Sequence, residues 1–141
     1  MTNTVRDLAL EYVRAAGDRQ FDRLAELVHP DATFGGTVKG ETRGRDAFVQ
    51  GFRNLGPIIA RNDVRQVIVD GDRAAVLYDF VTDTAVGPVL SAEFLTVEDG
   101  LIRSSTLLFD MRRWPEVVTE LQARMHASPP APAPASQPAS A

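Results

Sequence analysis

The amino-acid sequence predicts an α+β fold, in which helices pack against one face of an antiparallel sheet. Segments with apolar residues at helical spacing fill most of the chain up to Pro57. Four segments rich in β-branched and aromatic residues then follow one another, separated by tight-turn signals. Helices followed by a strand meander are typical of α+β domains. A chain of 141 residues suits one such domain.

The first predicted helix covers residues 5–16. Its apolar residues recur three and four positions apart and make one continuous stripe. Thr4 and Asp7 have the spacing of a capping box, and Gly17 is a residue that commonly ends helices. Both ends of this helix are therefore marked in the sequence.

The same periodicity predicts three further helices, over 21–28, 45–55 and 115–126. Pro30 ends the first of these, and Gly56-Pro57 ends the second. Pro115 suits the first position of the last helix. A backbone N–H at that position has no partner within a helix, so nothing is lost when proline lacks it.

The strands are predicted as a short one around Thr33-Phe34 and four long ones over 58–69, 74–84, 89–98 and 101–110. Asp-Gly pairs at 70–71 and 99–100 predict tight hairpins between the long strands. Val86-Gly87-Pro88 predicts the turn in the middle of the meander.

Composition excludes several classes of function. The chain has no cysteine, which excludes a disulfide framework, a thiolate nucleophile and a cysteine zinc site. Its two histidines are too few for a multi-histidine metal centre, and a net charge of −4 does not favour nucleic-acid binding. Neither a secretory signal nor an apolar run of about 18 residues is visible. We therefore expect a cytoplasmic protein without metal, cofactor, nucleic acid or membrane partner.

Residues 127–141 are predicted to be a disordered tail, which leaves 1–126 as the folded domain. This segment is rich in alanine and proline and has no charged, aromatic or branched aliphatic residue. It has nothing to bury that would offset the entropy of ordering it. A ligand for a proline-binding groove is the alternative interpretation.

Several short motifs carry a family resemblance. They are Phe21-Asp22, the run His29-Pro30-Asp31-Ala32-Thr33-Phe34, and the run from Val97-Glu98-Asp99-Gly100-Leu101-Ile102 on to Leu108-Phe109-Asp110. Over residues 1–114 the chain resembles the nuclear transport factor 2-like superfamily, which includes SnoaL-like polyketide cyclases, ketosteroid isomerases and limonene-epoxide hydrolases. The resemblance implies a cone-shaped, curved antiparallel sheet wrapped around the N-terminal helices. It also implies an apolar pocket open at one end, and homodimers formed through the outer face of the sheet.

Two polar residues are candidate catalytic groups. Tyr12 lies on the apolar stripe of the first helix, and Glu93 alternates with apolar residues in its strand. The resemblance matches them to the tyrosine and the carboxylic acid that donate to the substrate oxyanion in ketosteroid isomerases. That enzyme is the established case of an acid kept protonated by an apolar pocket. The alternatives are a core tyrosine with its tip at the surface, and a glutamate on the outer sheet face.

Six further residues are predicted to contact a ligand, because the resemblance places them on the inner side of the cone: Phe34, Phe52, Tyr78, Phe80, Ser105 and Leu107. Side chains alternate along a strand, so Asp79 is then expected on the outer face. An error of one residue would exchange the roles of Asp79 and Tyr78.

The sequence departs from two known activities of the superfamily. The aspartate base of ketosteroid isomerases falls at Gly36, and the Arg/Asp/Asp set of the epoxide hydrolases falls on Tyr78, Phe80 and Leu107. The remaining hypothesis is a polyketide-cyclase- or isomerase-type enzyme that stabilises an enolate of a small, hydrophobic, carbonyl-containing molecule. Tyr12 and Glu93 would polarise the carbonyl. The alternative is a non-catalytic module for ligand binding or dimerisation.

A homodimer is expected from the residues predicted on the outer face. Leu77 and Val81 flank Asp79 there, and Ser104 and Thr106 would be their neighbours if the last strand pairs beside this one. An apolar face of this kind is usually covered in the family.

Overall fold

The computed structural model describes residues 4–37 and 40–127. They form an α+β domain, as predicted. The helices are α1 (Val5–Gly17), α2 (Phe21–Leu27), α3 (Arg45–Leu55) and α4 (Trp114–Ala127), with a 3₁₀ turn at Gly56–Ile58. The strands are β1 (Val28–Gly36), β2 (Thr42–Arg43), β3 (Ile59–Asp70), β4 (Arg73–Thr82), β5 (Pro88–Glu98) and β6 (Leu101–Phe109).

One mixed sheet contains all six strands in the order β2-β1-β6-β5-β4-β3. The long strands β3 to β6 form the predicted antiparallel meander. Strand β1 pairs with the last strand of the meander in parallel, and this pair is the exception to the predicted antiparallel sheet. The helices pack on the sheet mainly through α1 against β3 and β4, and through α3 against β1.

The boundary between α2 and β1 differs from the prediction. The helix ends at Leu27, and β1 already begins at Val28, which is fully buried and pairs with Ile102. Pro30 therefore lies within the strand and does not follow a helix. A strand tolerates proline where its ladder is interrupted, and the register between β1 and β6 shifts between Val28 and Thr33.

Two predicted local signals at other element ends are present. The Thr4 hydroxyl accepts from the Asp7 N–H at 3.0 Å, and the Asp7 carboxylate accepts from the Thr4 N–H at 3.4 Å. Asp99 and Gly100 both have positive φ, 55° and 73°, as the tight turn between β5 and β6 requires.

Two hydrophobic clusters hold the domain together. The larger lies between α1, α3 and the inner face of the sheet, and Tyr12 and Phe48 are its bulkiest fully buried members. The smaller joins the 3₁₀ turn, β3 and α4 through Ile58, Ile59 and Val117. It holds α4 at one end of the sheet.

Two further observations bear on the domain as a whole. Helix α4 continues through Ala127, and the rest of the predicted tail, 128–141, lies outside the described residues. No helix within the described residues combines the length and apolarity needed to cross a membrane.

Candidate functional site

A cavity of about 360 Å³ lies between α3, α4 and the inner face of the sheet. Most of its wall is apolar, and much of that is aromatic: Phe34, Phe52, Tyr78, Phe80, Phe109 and Trp114. Three of its lining residues, Gly40, Ala47 and Gly51, are exposed and mark its opening. Its volume is within the range of small-molecule sites.

The aromatic side chains of the wall support one another. Phe34 meets Phe48 and Phe52 edge to face, with ring centroids 5.2 and 5.4 Å apart. At the other end of the cavity, Phe109 meets Trp114 at 4.7 Å. Edge-to-face packing restricts ring orientation, so this wall is formed before any ligand enters.

The structure divides the eight predicted site residues into two groups. Phe34, Phe52, Tyr78, Phe80 and Leu107 line the cavity. Tyr12, Glu93 and Ser105 lie in the core next to it and are 0%, 1% and 3% exposed. Tyr78 joins the groups, because it lines the cavity and its hydroxyl contacts Glu93.

Glu93 is the centre of a buried polar cluster. Its Oε2 accepts hydrogen bonds from the Tyr12 hydroxyl and, at 2.6 Å, from the Ser105 hydroxyl. Its Oε1 accepts from the Tyr78 hydroxyl at 2.8 Å. Alternation along β5 points Glu93 to the inner face together with Ser91 and Leu95, which are also buried. All three hydroxyl protons of the cluster are thus directed at one carboxyl group.

Burial changes the acidity of this cluster. It raises the pKa of the Glu93 carboxyl above its ordinary value, and the three hydroxyl donors offset part of that rise. Burial and the neighbouring Glu93 carboxylate raise the pKa of Tyr12 and Tyr78 well above that of an ordinary phenol. Both tyrosines therefore keep their protons throughout the physiological range.

Several further lining residues were not predicted as site residues, among them Trp114, Ser91 and Asn62. Trp114 was the hardest of these to predict, because its place in the wall depends on where α4 packs. Ser91 shares the inner face with Glu93, so strand alternation could have indicated it. Asn62 lies between the charged residues Arg61 and Asp63, so the sequence around it did not distinguish it.

Asn62 occupies an unusual place in the wall. Its Nδ2 donates to the Val13 carbonyl of α1 at 2.8 Å. Its Oδ1 is buried and has no partner among the described residues. The close approach depends on Gly17, where an added Cβ would lie 2.8 Å from the Asn62 Cβ. A glycine at the end of α1 therefore allows the amide to sit against the helix.

Comparison with known proteins gives the family of the chain. The model of the SnoaL-like domain matches residues 9–105. The chain belongs to this family. A solved protein from Kribbella flavida DSM 17836 is 30% identical and has a TM-score of 0.73; the match covers 86% of this chain and 97% of the other.

Two more distant structures share the fold of this SnoaL-like domain. An NTF2-like protein of unknown function from Cytophaga hutchinsonii ATCC 33406 is 21% identical with a TM-score of 0.69, covering 81% of this chain and 96% of its own. A second Kribbella flavida DSM 17836 protein, provisionally named a ketosteroid isomerase, is 20% identical with a TM-score of 0.68; the coverage is 92% and 90%. No curated protein matches the chain.

Gly36 of this SnoaL-like domain has no room for a side chain. Its φ is 136°, and an added Cβ would collide with the backbone of Leu107, lying 2.6 Å from the Leu107 nitrogen. The residue pairs with Leu107 in the parallel ladder between β1 and β6. Hence no general base can occupy this position without moving the strand.

The cavity of the SnoaL-like domain has few polar groups. Among the described residues that line it, the tyrosine hydroxyl of Tyr78 is the one ionisable group. The group closest to a metal-ligand set lies elsewhere, where side-chain atoms of His29, Glu98 and Asp99 are within 4.8 Å of one another. Two of these side chains already bind other protein groups. Glu98 is paired with Arg103 at 3.2 Å, and His29 Nδ1 accepts from the Asp31 N–H.

Proposed function

We propose that this SnoaL-like domain binds a small, uncharged and largely apolar molecule in its cavity. The observation that carries the proposal is the preformed aromatic wall around about 360 Å³ of space with an exposed opening. A charged ligand would lose its hydration there without gaining an opposite charge from the described lining. An apolar ligand of modest size gains from burial against the aromatic rings.

An enolate-stabilising isomerase or cyclase is the second candidate function. The contact of the buried Glu93 carboxyl with Tyr12 and Tyr78 favours it, because such a cluster could bind the oxygen of a carbonyl compound. Two observations favour ligand binding over catalysis. The three hydroxyl protons already point at Glu93, and the described lining contains no group suited to abstract a proton from carbon.

Filling the cavity is the direct test of binding. Gly51 lies on α3 at the opening, and a Cβ added there would meet no protein atom within 4 Å. We expect Gly51→Phe to fold normally, since replacing a helical glycine relieves an entropic penalty, and to weaken binding of naphthalene-sized probes by about tenfold or more. Titration calorimetry measures the affinity, and the NMR signal of the Trp114 indole N–H reports binding inside the cavity.

Gln50→Phe is the matched control for this test. Gln50 is the preceding residue on α3, is exposed and does not line the cavity. It should bind the probes as the wild type does. Unchanged binding by Gly51→Phe, or probe binding that leaves the Trp114 signal in place, would contradict a ligand site in this cavity.

We also propose that the domain forms a homodimer through the outer face of the sheet. Strand β5 lies between β4 and β6, so the neighbours of Leu77 and Asp79 are Ala92 and Leu90, and not Ser104 and Thr106 as the sequence suggested. Large apolar side chains on these strands are exposed, with Leu90 at 45%, Phe94 at 48% and Leu108 at 47%. An exposed apolar patch of this kind typically marks an interaction surface.

Phe94→Glu should convert the dimer to a monomer. A charge placed in the apolar patch must be desolvated in the interface, whereas it is solvated in the monomer. Sedimentation at about 50 µM would show a wild-type species near twice the chain mass of 15.4 kDa and a variant at that mass. The control is Met125→Glu on α4, another exposed apolar residue, 57% exposed against 48% for Phe94. A monomeric wild type would refute the proposal.

A further inference from the structure

The strand register gives the cavity two ends. Glu93 lies opposite Val76 on β4, and the side chains of Tyr78 and Phe80 follow on the cavity side of the same strand. Each of these steps of two residues is about 7 Å along the strand. Trp114 packs on Phe80, the residue farther from Glu93, with ring centroids 6.4 Å apart. We call these two places the Glu93 end and the Trp114 end of the cavity.

The hydroxyl groups of the wall near the Glu93 end already donate to protein acceptors. The Tyr78 hydroxyl donates to the Glu93 carboxyl at 2.8 Å, and the Ser91 hydroxyl donates to the Val89 carbonyl at 3.0 Å. A ligand oxygen placed here gains a hydrogen bond only if one of these two bonds is broken. The net gain from such an exchange is small.

The indole N–H of Trp114 is a donor without such a commitment. Trp114 lines the cavity and is half-buried, and its indole nitrogen donates to no atom of the described residues. Among those residues the Oδ1 of Asn62 is the one unpartnered side-chain atom that is fully buried, so the indole nitrogen keeps surface that another molecule can reach. An indole nitrogen can donate a hydrogen bond but cannot accept one. Trp114 can therefore donate to a ligand without breaking a bond to another described residue.

The packing around Trp114 holds this donor in place. Its ring meets that of Phe109 at 4.7 Å with an angle of 63° between the planes. Helix α4, which begins with Trp114, is fastened at its far end by Arg124, whose Nη1 donates to the Pro57 carbonyl at 2.9 Å and to the Asp83 carboxylate at 3.1 Å. A donor that is already positioned costs little further ordering when a ligand binds.

The remaining side-chain donors of the described lining are Asn62 and Thr42. Asn62 Nδ2 already donates to the Val13 carbonyl at 2.8 Å. Thr42 is partly exposed and lies near the exposed Gly40 at the opening, where water competes for its hydroxyl. Trp114 is therefore the one side-chain donor inside the cavity that has no acceptor among the described residues.

We infer that the cavity takes apolar molecules that carry an acceptor oxygen, such as aryl ketones, and that Trp114 donates to that oxygen. This inference rests on the proposed binding function and specifies the ligand class and its orientation. The oxygen lies at the Trp114 end, and the apolar body of the ligand extends along the aromatic wall toward Tyr78. The resemblance to ketosteroid isomerases implies the opposite orientation, with the oxygen against Tyr12 and Glu93.

Two naphthalenes of similar shape test the inference in the wild-type protein. 2-Acetylnaphthalene has a ketone oxygen where 2-isopropylnaphthalene has a methyl group. We expect the NMR signal of the Trp114 indole proton to lie further downfield in the ketone complex than in the hydrocarbon complex, because only the ketone accepts from it. The same position in both complexes would overturn the inference and leave the binding function standing. Failure of both molecules to bind would remove the binding function and this inference with it.

Trp114→Phe removes the donor and keeps an aromatic ring. Titration calorimetry should show that it weakens binding of 2-acetylnaphthalene about fivefold more than binding of 2-isopropylnaphthalene, since both ligands lose packing and only the ketone loses a hydrogen bond. The control is Phe52→Leu, which removes aromatic surface from the wall but no donor. It should weaken both ligands by the same factor. Equal weakening of both ligands by Trp114→Phe would overturn the role of Trp114.

Tyr12→Phe tests the opposite orientation. It removes a hydroxyl that donates to Glu93 and leaves the indole of Trp114 unchanged. A selective loss of ketone affinity in Tyr12→Phe that is absent from Trp114→Phe would place the oxygen at the Glu93 end and overturn the inference. The NMR comparison uses the wild-type protein, so it does not depend on how well any variant folds.

Discussion

Gly36→Asp is expected to destabilise the domain severely and not to supply a catalytic base. The substitution places a side chain where the backbone of Leu107 already lies, and it forces a non-glycine residue to a φ of 136°. Backbone strain and overpacking each cost about 1–3 kcal/mol, so we expect a loss of about 2–6 kcal/mol in the free energy of unfolding. Urea denaturation followed by circular dichroism measures it.

Gly35 offers the matched control one residue earlier. A Cβ at Gly35 would meet its nearest protein atom at 3.9 Å, an ordinary contact, and Gly35 also lines the cavity. Gly35→Ala should therefore stay within about 1 kcal/mol of the wild type. A stable Gly36→Asp protein would show that β1 can separate from β6, and would reopen the position to an acid.

Local signals allowed much of the fold to be predicted. The capping box of Thr4 and Asp7 and the turn at Asp99-Gly100 depend on contacts between near neighbours in the chain, and such contacts are visible in a sequence. The start of β1 was not visible, because Val28 is drawn into the sheet by pairing with Ile102, which is remote in sequence. For the same reason the parallel pairing of β1 was not predicted.

The candidate site was predictable to the extent that strand alternation and family resemblance determine it. Alternation, combined with the resemblance, pointed Glu93 inward and placed Tyr78 and Phe80 on the cavity side. Neither alternation nor resemblance determines which atom each hydroxyl or amide group donates its proton to. That Tyr78 and Ser105 also donate to Glu93, and that Asn62 is held against Val13, depend on distances between elements that only the packed structure supplies.

Glu93→Ala is expected to have the other large effect. It leaves the buried hydroxyls of Tyr12, Tyr78 and Ser105 without their acceptor. Each unpartnered buried group costs about 1–3 kcal/mol, so the free energy of unfolding should fall by ~3 kcal/mol or more. Glu93→Gln keeps an acceptor oxygen and the shape of the side chain, and should remain within about 1 kcal/mol of the wild type at neutral pH. Equal losses in the two variants would contradict a hydrogen-bonding role for Glu93.

The pH dependence separates the charge of Glu93 from its hydrogen bonds. Because burial raises the pKa of this carboxyl in the folded state, the folded protein keeps a proton that the unfolded chain releases near the ordinary value of 4.5. The wild type is therefore favoured at low pH and loses that share of its stability as the pH rises through the folded-state pKa. Glu93→Gln has no such proton to lose. The free energy of unfolding of Glu93→Gln minus that of the wild type should thus increase as pH rises above about 4.5.

A difference that stays flat would mean that Glu93 titrates as it does in the unfolded chain. A charged carboxylate at neutral pH would then have to be stabilised fully by Tyr12, Tyr78 and Ser105, and the cluster would hold no acidic proton for chemistry on a bound carbonyl.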